Sequence, residues 1–295
     1  MSDIRWDLVL KPEIEYLSNL YRDIDIKKEF VPVIEMLNRN IIKSRIIVNG
    51  NKLIAYAYAI ESKTLLDTIY ADAGFIDKND INDIRLDYIF NWIDAISGNR
   101  KVLMNRIYNS SDGLEDYLIR HGYKKAVRYR LVSSINNSNS VCSNEFLTLG
   151  NIDYDQFSDA EYKAYVDGPD GFLFSKIPSC RHNATREMFN GKYGDIINKA
   201  SFLMVGSEID AAVIASRKDD ESAFIDTIFV KKDLRSKGLG RKLMECSMMA
   251  LKSLNYDKIY LYVNSENTAA LNLYRSLGFI KDDYPEDIIY YKIKY

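Results

Sequence analysis

The chain has 295 residues, 47% of them apolar and 28% charged, the make-up of a globular protein with room for two ordinary domains. Forty Lys and Arg against 42 Asp and Glu leave a net charge of -2, with +1 and -3 on either side of Ser140, which speaks against a nucleic-acid grip built on counterion release. No apolar run reaches the roughly 20 residues of a membrane helix, and the polar start MSDIRWD has no signal-peptide core. Three scattered cysteines and two histidines argue against a zinc site or a disulfide scaffold, so no metal, no nucleic acid, no membrane and a reducing cytoplasm are expected.

In chain order, Arg5–Leu10 reads as a strand, and two helical stretches follow up to Asn40. Arg45–Val48 and Leu53–Ile60 are strands around NGNK, whose Asn-Gly pair is a hairpin signal. Leu66–Ala71 is a further strand. A helix spans Ile81–Ile96 and stops at Gly98, Val102–Tyr108 is a strand, Gly113–Arg120 a helix, and HGYKKAVRYRLV returns as a strand. Residues 135–144, INNSNSVCSN, are rich in Asn and Ser and bury too little to offset their ordering entropy. They read as a linker between domains at 1–134 and 145–295.

The second half repeats this order. Glu145–Leu149 is a strand, Tyr154–Val166 a helix, and GPDG breaks it. Ser201–Val205 and Ala211–Ser216 are β-like runs around GSEID, and FIDTIFV, Phe224–Val230, is a third. KKDLRSKGLG then opens a helix from Gly238 to Leu254 whose apolar residues share one face. Lys258–Val263 is a strand, Asn267–Leu277 a helix stopped by Gly278, and Ile288–Ile293 a last strand. The repeat is one of element order, not of letters.

The segment that carries chemistry runs from Val230 through Arg235-Ser236-Lys237-Gly238-Leu239-Gly240-Arg241. A strand-to-helix turn presents free amides at a helix N-terminus, where the dipole favours anions. Gly238 and Gly240 allow a phosphate close to the backbone, and Lys237 and Arg241 add charge. An ordinary junction with a charged first turn fits the same letters. The Walker A pattern and the dinucleotide fingerprint are both absent.

RSKGLG, followed by LYVNSENTAALNLYRSLGF, closely resembles the GNAT family of acyl-CoA-dependent N-acyltransferases. The resemblance covers about Glu145–Tyr295 directly, and the first half through element order alone. It implies an α/β fold of two tandem domains, each a mixed, mostly antiparallel sheet flanked by helices. It further implies transfer of an acetyl group from acetyl-CoA to a small-molecule or peptide amine by direct attack. The pyrophosphate would rest on the amides of Arg235–Arg241, and the pantetheine arm beside Ile228, Phe229 and Val230. Tyr274 stands where the family often places the acid that protonates the leaving thiolate. Asn267 would touch the cofactor arm, and is equally a helix N-cap.

Some relatives carry a Glu at the position of Tyr262, so the base is sought elsewhere. Asp226, inside an apolar strand, is the candidate, and period-2 alternation puts it on the face of Ile228 and Val230. Cys180 and His182 are too close in sequence to serve as a nucleophile pair. Cys246, among methionines, reads as packing, and His121 as a helix-end hydrogen bond. In the first half, Asp72, Asp77, Asp80 and Asp83 occupy the region of the phosphate loop, so that half is expected not to bind CoA. The rival to an enzyme is an acyl-CoA-binding regulatory or interaction module without turnover.

Overall fold

The computed structural model describes residues 4–22, 24–110, 112–135, 142 and 145–294. The chain begins with helices α1 (Trp6–Val9), α2 (Lys11–Leu20) and α3 (Ile26–Asn38), followed by strands β1 (Lys43–Asn49), β2 (Lys52–Glu61) and β3 (Thr68–Phe75). Then come α4 (Asp83–Ser97), β4 (Lys101–Tyr108), α5 (Asp112–Arg120) and β5 (Lys124–Ser134). The second half supplies β6 (Leu147–Thr148), α6 (Tyr154–Tyr165), α7 (Pro178–Phe189), β7 (Phe202–Val205), β8 (Ile209–Arg217) and β9 (Ser222–Val230). It ends with α8 (Leu239–Ser253), β10 (Lys258–Asn264), α9 (Thr268–Ser276), β11 (Ile280–Lys281) and β12 (Asp287–Lys292). Among the described residues no helix is long and apolar enough to cross a membrane.

The start of the chain corrects one expectation. Ile4, Trp6, Leu8 and Leu10 alternate like a strand, yet residues 6–9 are helical. Trp6, Val9 and Leu10 are buried while Leu8 is 58% exposed, the i, i+3, i+4 spacing of a helix face. Asn82 accepts from the amide of Arg85 at the start of α4, and Asp153 accepts from two amides of α6.

Two compact units result, Met1–Ala126 with Asp287–Tyr295, and Val127–Glu286. This differs from the division at 135–144, a segment that lies outside the described residues except for Ile135 and Cys142. The sheet of the first unit runs β1-β2-β3-β4-β12, and that of the second β6-β7-β8-β9-β10-β5. In each, a single parallel pair, β3·β4 or β9·β10, interrupts antiparallel neighbours. The physical reason for the shifted division is strand pairing. The last strand, β12, is antiparallel to β4, and β5 is antiparallel to β10 over Lys258↔Ser134 to Asn264↔Arg128. Each strand joins the sheet built mainly by the other half of the chain.

The second unit has a core on each face of its sheet. On one face α8 and α9 pack through Leu243, Met244, Leu251 and Leu271 on Ile225, Ile259, Leu261 and Val263. On the other, α6 and α7 pack through Phe157, Ala160 and Met188 on Ala212, Ile214 and Phe229. The cysteines correct a second expectation, since Cys142 is disulfide-bonded to Cys246 of α8, 104 residues away. Closing a loop of that length restricts the unfolded chain by about 4 to 5 kcal/mol in the chain-entropy account. Scattered cysteines are therefore no ground for assigning a reducing compartment.

Candidate functional site

The site begins where two parallel strands part. β9 and β10 pair from Lys258↔Ser222 to Leu261↔Ile225 and no further, although β9 continues to Val230 and β10 to Asn264. The break coincides with a bulge. Ile214 faces Thr227 and Ala215 faces Ile225, so Asp226 is an extra residue on β9. Beyond it the strands enclose a cleft of about 570 Å³ lined by Ile228, Phe229 and Val230 on one side and Tyr262 and Val263 on the other. Its walls include Ala164 and Tyr165 at the end of α6, Asp170 from the segment after it, and Leu239, Leu273 and Tyr274 from α8 and α9. Since α6 and α8 lie on opposite faces, the cleft passes through the sheet.

One end of the cleft is the loop before α8. Ser236 and Gly238 both adopt left-handed backbone, with φ of 62° and 79°. Gly238 is the N-cap, no side chain caps α8, and its first turn holds no acidic residue. The amides of Leu239, Gly240 and Arg241 have no partner within the helix, and the positive end of the dipole meets the cleft. Ser236, Gly238, Leu239, Gly240 and Arg241 all line it. Arg235 lines it too, but its guanidinium donates to the carbonyls of Val230 at 3.0 Å and Ala164 at 2.5 Å, tying the loop to β9 and α6. Arg241 reaches Glu245 at 3.4 Å and the Ser276 hydroxyl. Lys237 is exposed and does not line the cleft, so its charge acts from a distance.

Tyr274 is 6% exposed, packs its ring on Phe279 and lines the cleft. No group among the described residues hydrogen-bonds its hydroxyl, which is not sealed from the cleft. Burial, helped by Tyr165 and Asp170, pushes its pKa well up, so it stays protonated. Asn267 also lines the cleft, and its side-chain oxygen accepts from the amide of Ala270 at 3.1 Å. The cap reading accounts for that oxygen and leaves its amide group for other use.

Asp226 is the residue the structure moves. Ile225 packs with the α8 side and Ile228 and Val230 do too, whereas Thr227 is followed by Phe229 on the α6 side. The bulge resets the alternation, so Asp226 sits opposite the face of Ile228 and Val230. It accepts from the Ser216 hydroxyl at 3.0 Å, and its other oxygen is buried without a partner. Burial pushes its carboxyl up to about 7, with the Glu161 charge adding and the Ser216 bond opposing. Asp226 does not line the cleft.

Tyr165 and Asp170 were missed as site residues. The signal was the GPDG break. A Cβ at Gly171 would overlap the carbonyl of Val166, so the glycine lets the chain fold back behind α6. Asn264 donates to Asp170 at 3.3 Å and to the Pro169 carbonyl at 3.2 Å, and Arg128 lies 3.4 Å from Asp170. Cys180 is buried, His182 binds Asp159 at 3.1 Å, and neither lines the cleft. His121 contacts the Tyr117 carbonyl at 2.7 Å through its ring, as expected of a helix end.

The corresponding place in the first unit is closed. β3 and β4 stay paired to Gly74↔Tyr108, and the Asn109 side chain donates to the carbonyls of Phe75 and Ile76. The start of α4 is capped by Asn82 with Asp83 in its first turn, and Asp80 is bound to Arg85 at 2.8 Å and to Lys52 at 3.5 Å.

The site is thus a sheet parted at a bulge, with an uncapped helix N-terminus at one end of the gap. Residues 180–279, within the second unit, match the Acetyltransferase (GNAT) family. A stretch of 61 residues is 41% identical to the mycothiol acetyltransferase of Thermobispora bispora, covering 21% of this chain and 20% of that protein. Another of 54 residues is 41% identical to an N-alpha-acetyltransferase of Sulfurisphaera tokodaii, covering 18% of this chain and 32% of that one. The matches thus span between a fifth and a third of these relatives. The fold is similar to a GCN5-related N-acetyltransferase from Sphaerobacter thermophilus, with a TM-score of 0.53 at 13% identity over 89% of this chain and 86% of that one.

Proposed function

We propose that the second unit transfers an acyl group, acetyl first among them, from CoA to a small-molecule or peptide amine within a ternary complex. The observation that carries this reading is the continuity of the cleft. The uncapped N-terminus of α8 opens into the gap between β9 and β10, and the Tyr274 hydroxyl opens into the same space. Acetyl-CoA would supply an activated thioester. The amides of residues 236–241 suit its pyrophosphate, and the edge of β9 that β10 leaves unpaired suits an extended arm lying beside it as an added strand. An amide of that stretch would polarise the thioester carbonyl. Tyr274, neutral and unbonded, would protonate the departing thiolate.

One observation favours the rival, a module that binds acyl-CoA without turnover. Asp226 does not line the cleft, and the carboxylate that does, Asp170, is held by Arg128 and Asn264. The test is thiol release from acetyl-CoA against a panel of simple amines, polyamines, aminoglycosides and peptides. Turnover with any of them supports the enzyme. Calorimetric binding of acetyl-CoA with no thiol released by any amine supports the module.

A further inference from the structure

A polar chain leads from the cleft into the interior on the α6 side. Tyr165 lines the cleft, and its hydroxyl donates to the Ile228 carbonyl at 2.7 Å. The Thr227 hydroxyl lies 3.5 Å from the same phenol oxygen. One helical turn before Tyr165 stands Glu161, whose charged carboxyl is favoured by the neighbouring Thr227 hydroxyl. Glu161 is 9% exposed, and among the described residues no cation offsets its burial. A buried acid without a cation is costly in its charged form, so it calls for a use.

Resting on the acyltransferase reading above, we propose that Tyr165, Thr227 and Glu161 form a proton relay that receives the proton lost by the attacking amine. As nitrogen bonds the acyl carbon and the carbon–sulfur bond breaks, the nitrogen's proton passes to the Tyr165 oxygen. Tyr165 turns its own proton from the Ile228 carbonyl to Thr227, and Thr227 gives its proton to the Glu161 carboxylate. Each hydroxyl of the relay gains one proton as it gives one, so Tyr165 never becomes a tyrosinate. The thiolate takes its proton from Tyr274. Product release lets both groups exchange with solvent, Glu161 back along the same chain.

Asp226 is the competitor, lying on the same face. Its bond goes to Ser216, and among the described residues no hydroxyl bond carries it on to the cleft. The titratable groups around Glu161 are Asp226 of β9 and Tyr165 of its own helix. The charged groups of α7 that reach α6 are paired elsewhere, Arg181 and His182 with Asp159 and Arg186 with Asp155. On β8, Asp210 faces Lys231. Burial raises the Glu161 carboxyl to about 7 against the opposing effect of Thr227, which lets it exchange a proton near neutral pH.

The experiment measures kcat against pH with acetyl-CoA and the amine panel, for the full chain and the variants Glu161→Gln, Thr227→Val, Thr227→Ser and Asp226→Asn. Calorimetry gives acetyl-CoA affinity for each. Glu161→Gln and Thr227→Val should each lower kcat about tenfold or more, with acetyl-CoA affinity within about twofold. Thr227→Ser should keep most of the rate. In the wild type kcat should rise with pH through an ionisation near 7. That limb should vanish in Glu161→Gln and persist in Asp226→Asn. A Glu161→Gln enzyme with wild-type kcat and profile, or loss of the limb in Asp226→Asn instead, overturns the relay alone. Acetyl-CoA binding by the wild type without thiol release overturns the transferase reading and the relay with it.

Discussion

Tyr274 combines a packed ring with a hydroxyl that no group among the described residues engages. If the hydroxyl protonates the thiolate, Tyr274→Phe should lower kcat by about 100-fold or more while acetyl-CoA affinity stays nearly intact. Wild-type turnover would leave the ring as packing. The raised carboxyls give a second prediction. Glu13, Glu161 and Asp226 are each pushed up to about 7, first by burial. The folded protein then holds protons that an unfolded chain releases near pH 4, the ordinary range of about 3.9 to 4.3. Their contribution is full below about pH 4 and is lost as pH rises through about 7. The melting temperature should fall across that window, less steeply in Glu161→Gln and Asp226→Asn. A flat profile in the wild type would contradict the burial of these acids. At this scale the letters could name Asp226 as an acid in an apolar strand, but not its face. One extra residue in a bulge reverses every side chain beyond it.

The loop before α8 is where sequence and element agree most closely. RSKGLG was legible because its chemistry is local: a left-handed glycine, a helix start without an acid, and a strand before it. Gly238 has nothing within 4 Å of where a Cβ would stand. Replacing it at φ 79° costs about 1 to 2 kcal/mol in backbone strain, and Asp tolerates that conformation better than most residues. Gly238→Asp should therefore melt close to the wild type and yet lose most acetyl-CoA affinity in calorimetry, through repulsion of the pyrophosphate. Gly238→Ala, with the strain but no charge, should bind far better than Gly238→Asp; equal affinities would take the phosphate away from this loop. The gap between β9 and β10 was not legible. Both strands read as continuous apolar runs, and where pairing stops depends on register, which no local signal encodes. The Cys142–Cys246 bond, spanning 104 residues, was hidden for the same reason.

For the whole molecule, the order of elements was legible in both halves, but the edges of the sheets were not. Nothing in HGYKKAVRYRLV or in the last strand tells which sheet each completes. The pairing makes a prediction about where the chain can be cut. A fragment of residues 145–295 lacks β5, which leaves one edge of β10 unpaired, and it keeps β12, whose partner β4 is gone. An exposed edge invites aggregation, so this fragment should be insoluble or melt without cooperativity. A fragment of 124–286 keeps its sheet whole and should melt as a cooperative monomer; a well-behaved 145–295 fragment would contradict the exchange of strands. The two units also differ in the one place where a cofactor arm could lie. β9 and β10 part after Ile225↔Leu261, while β3 and β4 hold together to Gly74↔Tyr108. An extended arm hydrogen-bonds only to backbone that is unpaired, and the first unit offers none between its parallel strands. At its phosphate-loop position Asn82 caps α4 and Asp83 adds negative charge where a pyrophosphate would need free amides. Calorimetry on the full chain should therefore give one acetyl-CoA per chain, and Gly238→Asp should abolish that single event. A second equivalent of heat, surviving in Gly238→Asp, would place a CoA site in the first unit and refute its closure.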